Sequence, residues 1–137
     1  YTFETDSELG VQTIQGISSD SSVSALKKKF AGANIVIRNA EGRQLENNQM
    51  VGSGCTINLL KNGTVVDRAV VLIKGDADGD GQIDVMDMEA VQKDLLGMKK
   101  LGGIYQKAAL VTGDETELSI LDMEAIQKHI LGIRKIV

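Results

Sequence analysis

The sequence predicts a small α+β module in residues 1–74, followed by an all-α pair of loop-helix motifs in residues 75–137. Two observations support this division. Strand-like and helix-like segments alternate before position 75, whereas two similar helical segments repeat after it. An aspartate-rich loop, "GDADGDGQID", lies where the two halves meet. The chain has 137 residues, which is enough for one medium domain or two small ones.

The first module is predicted to run in the order strand, helix, strand and hairpin. The segments "VQTIQGIS" and "ANIVIRNA" are rich in strand-forming residues, and "SDSSVSALKKKF" between them begins with residues that cap helices. In "SGCTINLLKNGTVVDRAVVLIKG", alternating apolar residues flank Asn62-Gly63, a pair that favours a tight turn. We expect about the first ten residues to be loose. The last strand enters the acidic loop without a linker, so the two halves are expected to pack together.

An internal repeat organises the second half. The segments "DVMDMEAVQKDLLG" (84–97) and "SILDMEAIQKHILG" (119–132) align without gaps at an offset of 35 residues, and eight of the fourteen positions are identical. Apolar residues recur at helical spacing in both copies, and each copy ends in a glycine suited to closing a helix. We therefore predict two loop-helix units, joined by "MKKLGGIYQKAAL", which has room for a short helix after Gly103.

The acidic loop matches the pattern D-x-[DN]-x-[DN]-G-x5-E of calcium-binding EF hands at every position except the last. Its predicted ligands, at loop positions one, three, five, seven, nine and twelve, are Asp76, Asp78, Asp80, Gln82, Asp84 and Asp87. Gln82 would bind through its backbone carbonyl, and Asp84 directly or through a water molecule. Ca²⁺ prefers about six to eight oxygen ligands, whereas Mg²⁺ keeps several waters and softer metals need the His or Cys that this loop lacks. A solvated Asp/Gly-rich turn without an ion is the alternative.

Two features separate this loop from that of a calcium sensor. Position twelve is Asp87 instead of Glu, and the segment before the loop is strand-like where a sensor has an entering helix. On "GDADGDGQIDVMDMEAVQKDLLG", "LSILDMEAIQKHILG" and "YQKAALVTGD", residues 75–135 resemble a type I-like dockerin module. The resemblance implies two loop-helix Ca²⁺ motifs packed as an antiparallel pair that binds a cohesin module on another polypeptide. Residues 11–74 look like the small X modules found upstream of dockerins in secreted bacterial carbohydrate-active proteins.

The second loop departs from the family's pattern. Counting back from Asp122 as position twelve puts Val111 at position one, and allowing one inserted residue puts Leu110 there instead. Both registers lack the first acid and the turn glycine. We therefore expect one Ca²⁺ site, with the second loop held by packing, and a second ion is the alternative. The acidic candidates for that second ion are Asp114, Glu115, Glu117 and Asp122.

The resemblance also implies a partner face. In dockerins this face comprises the two residues before the closing aspartate and the exposed helix positions that follow. Carried over to this sequence, the positions are Val85, Met86, Gln92 and Lys93 in the first repeat and Ile120, Leu121, Gln127 and Lys128 in the second. The Gln-Lys pairs are either contacts or ordinary solvated surface, and the apolar pairs either face the core or form an exposed patch. Because the repeats present nearly the same residues, the module could dock in two orientations related by a half-turn.

Composition narrows the function classes. The net charge of -4 argues against nucleic-acid binding, and no apolar run approaches the roughly 18 residues of a membrane span. No nucleophile-base arrangement is visible, so we expect no enzyme activity here, and any catalysis would belong to upstream domains missing from a chain that starts at Tyr1. The predicted function is that of a secreted, Ca²⁺-dependent interaction module of polysaccharide catabolism, attached to a cell surface through its partner. The alternative is a self-contained adhesive or carbohydrate-associated module in which Ca²⁺ only stabilises the fold.

Two further positions each have two interpretations. The single cysteine, Cys55, is either a small buried hydrophobic residue or a reactive thiol. Asn62-Gly63-Thr64 is either a hairpin turn or a glycosylation sequon.

Overall fold

The computed structural model describes residues 1–112 and 117–136, and these ranges contain five strands and four helices. In chain order the elements are β1 (Thr2–Asp6), β2 (Val11–Gln15), α1 (Val23–Lys29), β3 (Asn34–Arg38), β4 (Thr56–Lys61), β5 (Thr64–Val71), α2 (Val85–Leu95), α3 (Gly103–Ala109) and α4 (Ile120–Ile130). The strands form one sheet in the order β1-β2-β5-β4-β3. Only β2 and β5 pair in parallel, so the sheet is mixed.

The sheet and α1 share the first hydrophobic core. Val23 and Leu26 of α1 are buried in the same cluster as Ile14, Ile37 and Val71 of the strands. In β3 the buried and accessible side chains alternate, as expected for a strand with one face on a core. This core is built mainly from Ile, Val and Leu.

Local signals in the first half specify its turn and its helix start. Asn62 and Gly63 connect β4 to β5 with φ angles of 55° and 77°, both in the left-handed region that a two-residue hairpin turn requires. Ser22 caps α1 by accepting a hydrogen bond from the N–H of Ala25. Cys55 is buried beside β4, and this burial raises the pKa of its thiol. The location of Cys55 therefore favours the interpretation as a buried hydrophobic residue.

The three helices after the sheet enclose a second core. Val91 of α2, Ala109 of α3 and Ile126 of α4 are fully buried together with Ala77 of the acidic loop. Helices α2 and α4 pack against each other. The acidic loop thus has one buried side chain in the helical core while its ends join the sheet to α2.

Helices α2 and α4 begin and end in the same way. Each starts with a capping box, formed by Asp84 and Asp87 in α2 and by Ser119 and Asp122 in α4. The glycine that ends each repeat has a φ of +74°, the left-handed conformation that terminates a helix. The sequence repeat is therefore a structural repeat at both helix termini.

The predicted fold class is wrong. In place of an α+β module followed by an all-α pair of loop-helix motifs, the described chain forms a five-stranded mixed sheet with four helices, three of which follow the sheet. Thr2–Asp6, expected to be loose, pairs along its full length with Val11–Gln15. Most side chains of β1 are exposed, so this edge strand is stabilised by backbone pairing. For the same reason its sequence lacks the alternating apolar pattern that would have predicted a strand. Gly103–Ala109 forms the short helix that was expected in the linker, and this helix buries its last two alanines.

Candidate metal centre

The acidic loop gathers four carboxylates into one cluster. One oxygen from each of Asp76, Asp78, Asp80 and Asp87 lies within 4.8 Å of the others. Asp76 and Asp87 are fully buried, whereas the other two are exposed. Within the described residues, no lysine or arginine forms an ion pair with any of the four. The cluster could therefore hold a metal ion, whose charge would offset the mutual repulsion of the carboxylates.

Asp76 opens the loop and is held by the turn that follows it. Its Oδ1 accepts a hydrogen bond from the N–H of Gly79 at 3.1 Å, and its Oδ2 accepts one from the N–H of Gly81 at 3.0 Å. Gly79 and Gly81 have φ angles of 80° and 87°, which L side chains rarely adopt. These glycines let the backbone fold back around the first carboxylate.

Asp87 closes the loop from the first turn of α2. Its Oδ1 accepts a hydrogen bond from the N–H of Asp78 at 3.1 Å, and its Oδ2 accepts one from the N–H of Asp84 at 2.8 Å. The second bond is half of the capping box, so the start of α2 also fixes this carboxylate. The last residue of the loop is thereby hydrogen-bonded to its third residue, Asp78.

Burial makes protonation of this cluster favourable when no cation balances it. Burial raises the pKa of Asp76 to about 7 and that of Asp87 to about 8, although hydrogen bonds from backbone N–H groups oppose the shift. Partial burial and the neighbouring Asp78 also raise the pKa of Asp80. Because a carboxylate must lose its proton to bind a metal, a cation binding here near neutral pH would displace protons.

The structure brings together the carboxylates of four of the five aspartates that were predicted as ligands of this loop. The side chain of Gln82 is exposed, and the backbone N–H of this residue donates to Asp80 Oδ1 at 2.9 Å. Asp84 caps α2 by accepting a hydrogen bond from the N–H of Met86 at 3.0 Å, and it stands outside the four-carboxylate cluster. The clustered donors are all carboxylate oxygens, which suit hard divalent cations such as Ca²⁺ and Mg²⁺.

The equivalent closing acid of the second repeat is surrounded by hydrogen-bond donors. Asp122 is fully buried, and its Oδ1 accepts bonds from the N–H of Val111 at 3.0 Å and from the N–H and hydroxyl of Thr112 at 3.2 and 3.0 Å. Its Oδ2 accepts a bond from the N–H of Ser119 at 3.0 Å. The chain itself therefore stabilises this carboxylate.

The other acids predicted for the second loop do not join Asp122 in the described part of the chain. Glu117 is exposed, and Asp114 and Glu115 lie outside the described residues. Within residues 1–112 and 117–136, the cluster in the first loop is the one group of three or more potential ligands.

The apolar residues of the predicted partner face lie on the surface at matching positions. Val85 and Ile120 are 63% and 65% exposed, and Met86 and Leu121 are each 53% exposed. These values remove the alternative that the apolar pairs face the core between the helices.

The polar residues of the predicted partner face also match between repeats. Gln92 and Gln127 are exposed. Lys93 and Lys128 each form an ion pair of 2.9 Å with the glutamate four residues earlier in the same helix. The two helices therefore present the same arrangement of charge and apolar surface.

Two residues outside the acidic loop contact it and were missed at the sequence level, one before β4 and one in α3; the loop, residues 76–87, is called the metal loop from here on. The N–H of Ser53 donates to Asp76 Oδ2 at 2.8 Å. The ring of Tyr105 packs so close to Gly79 that a Cβ on this glycine would lie 2.8 Å from a ring carbon. No local pattern marks either residue, and the linker-free passage from β5 into the loop is the one sequence signal that places the sheet nearby.

Comparison with known proteins found no matching family model, no matching curated protein and no matching solved structure.

Proposed function

We propose that this chain is a Ca²⁺-dependent protein-interaction module that binds a cohesin-type partner and thereby assembles or anchors a secreted multi-modular protein. The repeated surface supports the proposal most strongly. Two shallow grooves, one on α2 and one on α4, are each lined by seven residues, and every residue of one groove corresponds to a residue of the other at the offset of 35. The corresponding pairs are Val85 and Ile120, Met88 and Met123, Glu89 and Glu124, Gln92 and Gln127, Lys93 and Lys128, Leu96 and Leu131, and Met98 and Ile133.

The chemistry of these grooves suits a protein partner. Exposed apolar side chains such as Val85, Leu96 and Met98 lie beside a Lys-Glu ion pair and a glutamine. Apolar surface bordered by polar groups is typical of protein interfaces, where the apolar centre gives affinity and the polar rim gives orientation. The resemblance to dockerins makes a cohesin module the partner that we propose.

In this proposal the ion stabilises the first turn of α2, which carries part of the partner face. Asp84 and Asp87 belong both to the loop and to the capping box of α2, and Val85 and Met86 lie between them. A cation that fixes the loop therefore also fixes the first turn of α2, where those two apolar side chains are exposed. Ca²⁺ suits this site better than Mg²⁺ because it accepts a flexible shell of many oxygen ligands. Extracellular Ca²⁺ would keep such a site filled, so the ion is structural and does not act as a switch.

The matching grooves also support docking in two orientations. A partner that recognises the groove on α2 would meet nearly the same side chains on α4 after the module rotates by a half-turn. The support is the internal repeat of surface residues, including the matching exposures of Val85 with Ile120 and of Met86 with Leu121.

The proposal is tested by measuring binding to a panel of purified, immobilised cohesin modules in Ca²⁺ and in chelator. We expect at least one cohesin to bind in Ca²⁺, to release the chain in chelator and to bind again when Ca²⁺ is restored. The variant Asp87→Asn should lose binding, whereas Asp67→Asn, an exposed aspartate on β5, should retain it. Binding that is unaffected by chelator, or no binding across the panel, would contradict the proposal.

The second candidate is a self-contained adhesive or carbohydrate-associated module in which the ion only stabilises the fold. The contacts of the metal loop with segments next to the sheet favour it, because the backbone N–H groups of Ser53 and Asp20 donate hydrogen bonds to Asp76 Oδ2 and to the carbonyl oxygen of Gly81. This candidate predicts that Ca²⁺ raises the stability of the chain while no cohesin binds. The cohesin panel and a thermal unfolding measurement in Ca²⁺ and in chelator together separate the two candidates.

A further inference from the structure

The sheet touches the metal loop through the contact segment, which we define as residues 51–55 between β3 and β4. At its centre, the N–H of Ser53 donates to Asp76 Oδ2 at 2.8 Å. The same oxygen accepts the N–H of Gly81 at 3.0 Å. Both Ser53 and Asp76 are buried, so this hydrogen bond is shielded from water. The first ligand of the metal loop is therefore oriented from two sides, by its own loop and by the sheet.

The sheet, in turn, fixes the position of Ser53. Its hydroxyl donates to the carbonyl oxygen of Ile73 at 3.2 Å and accepts from the N–H of the same residue at 3.0 Å. The N–H of Gly54 donates to the carbonyl oxygen of Val71 at 3.0 Å. These bonds attach the contact segment to the end of β5, so the sheet sets the direction in which the Ser53 N–H points.

The backbones of the contact segment and the metal loop are packed without room for a side chain. A Cβ on Gly52 would overlap the carbonyl oxygen of Gly79. In the other direction, a Cβ on Gly81 would lie 2.8 Å from the carbonyl oxygen of Val51. The N–H of Asp20 also donates to the carbonyl oxygen of Gly81 at 2.7 Å. Backbone atoms from distant parts of the sequence thus shape the turn that carries three of the clustered aspartates.

We infer that the contact segment is a built part of the metal centre, with Ser53 as a positioning residue for Asp76. The affinity of the loop for its ion then depends on the sheet, and the bound ion stabilises the end of the sheet in return, because linkage between two sites is reciprocal. This inference rests on the proposed Ca²⁺ site and extends that site beyond the acidic loop to a part of the chain that carries no metal ligand.

The first test uses the full chain with Gly52→Ala and, as the matched control, Gly102→Ala. Neither glycine has a positive φ, and a Cβ on Gly102 meets nothing within 4 Å. In calorimetric titrations with Ca²⁺, we expect Gly52→Ala to weaken affinity at least about tenfold, which reduces the stabilisation by Ca²⁺ by about 1.4 kcal/mol. The control should stay within about twofold of the wild type. Equal affinity of the two variants would overturn the inference, and a wild type that binds no Ca²⁺ would overturn the proposed site itself.

A second test needs no variant and decides the matter if Gly52→Ala does not fold. Amide hydrogen exchange of the wild-type chain is measured in Ca²⁺ and in metal-free buffer. We expect the amides of Ser53 and Gly54 to exchange at least about tenfold more slowly in Ca²⁺, whereas those of the hairpin turn at Asn62 and Gly63 keep the same rate. Unchanged exchange in the contact segment, in a chain that titration shows to bind Ca²⁺, would overturn the inference and leave the proposed site standing.

Discussion

Asp87 and Asp122 hold the same place in the two repeats but have different neighbours. Each is a fully buried third residue of a helix, and each completes a capping box. Around Asp87 lie three more carboxylates, whereas Oδ1 of Asp122 faces two N–H groups and a hydroxyl from Val111 and Thr112. At the offset of 35, Val111 corresponds to Asp76, so a set of donors stands where the first loop has an acid.

In our proposal a cation between carboxylates supports the start of α2, whereas hydrogen-bond donors of the chain itself support the start of α4. Both supports produce the same outward face, since the grooves on α2 and α4 are lined by corresponding residues. The second repeat therefore presents its helix surface without a carboxylate cluster, whereas in the first repeat we propose that the ion supports it. In our account the first loop binds the ion, and both helices serve recognition.

The largest effect is expected from exchanging the closing acids for their amides. Asp87→Asn should weaken Ca²⁺ binding by about 100-fold or more, because it removes a buried charged ligand of the cluster. Asp122→Asn should leave the affinity and number of bound ions unchanged. It should instead lower the free energy of unfolding by about 1–3 kcal/mol, because the side-chain NH2 of the asparagine would face hydrogen-bond donors where the carboxylate offered an acceptor. Calorimetric titration and urea unfolding measure the two quantities.

Equal losses of Ca²⁺ affinity in the two variants would break the comparison, because the second loop would then contribute to the ion. Glu117→Gln is the control for charge alone, since Glu117 is exposed in the second loop and should change neither quantity.

The next effect concerns pH. The raised pKa values of Asp76, about 7, and Asp87, about 8, mean that in metal-free buffer the folded chain binds more protons than the unfolded chain above pH 3.8. The stability that these two groups contribute is therefore fully present below pH 3.8 and is lost as the pH rises through about 7 to 8. With saturating Ca²⁺ the ligands are deprotonated, so the stabilisation by Ca²⁺ should grow over the same range.

Urea unfolding at a series of pH values between 5 and about 8.5, in metal-free buffer and in Ca²⁺, measures this difference. Two stability curves that stay parallel across the range would show that the cluster in the first loop does not exchange protons for an ion. Proton release on Ca²⁺ binding near pH 7, measured in buffers of different ionisation enthalpy, is an independent check.

A smaller effect is expected at the partner face. Lys93→Ala or Lys128→Ala alone should weaken cohesin binding only about twofold, because the partner can use the other of two equivalent orientations. The double variant should weaken binding at least about tenfold, or about 1.4 kcal/mol. Each lysine forms a half-exposed ion pair with a glutamate of its own helix. Each single change should therefore cost about 0.5 kcal/mol of stability or less. A large loss of cohesin affinity in one single variant, measured by surface-based binding kinetics, would contradict docking in two orientations.

The smallest effect is expected at the helix ends. Gly97 and Gly132 share a φ of +74°, and a Cβ at either position would meet nothing within 4 Å. Changing either to alanine should therefore cost about 1 kcal/mol through backbone strain alone, and the two costs should be equal. Unequal shifts in the midpoint of thermal unfolding would show that the two repeats are less alike than their surfaces indicate.

The parts of the structure that the sequence predicts are those with local signals. Asn62-Gly63 specifies its turn, the repeat specifies α2 and α4, and the spacing of the aspartates places four carboxylates together. The features that the sequence did not predict depend on contacts between residues far apart in the chain. Edge strand β1 is held by backbone pairing, and the hydrogen bond from Ser53 to Asp76 joins residues that are 23 positions apart. The predicted fold class failed for the same reason, since the described residues form one mixed sheet with four helices, and the segment before β4 contacts the acidic loop.

The most direct test of the central claim is the number of Ca²⁺ ions that the wild-type chain binds tightly, determined by calorimetric titration and native mass spectrometry. Our account predicts one tightly bound ion per chain, bound at the first loop and lost in Asp87→Asn. Two tightly bound ions would contradict the contrast between the loops, and no bound ion would contradict the metal centre itself.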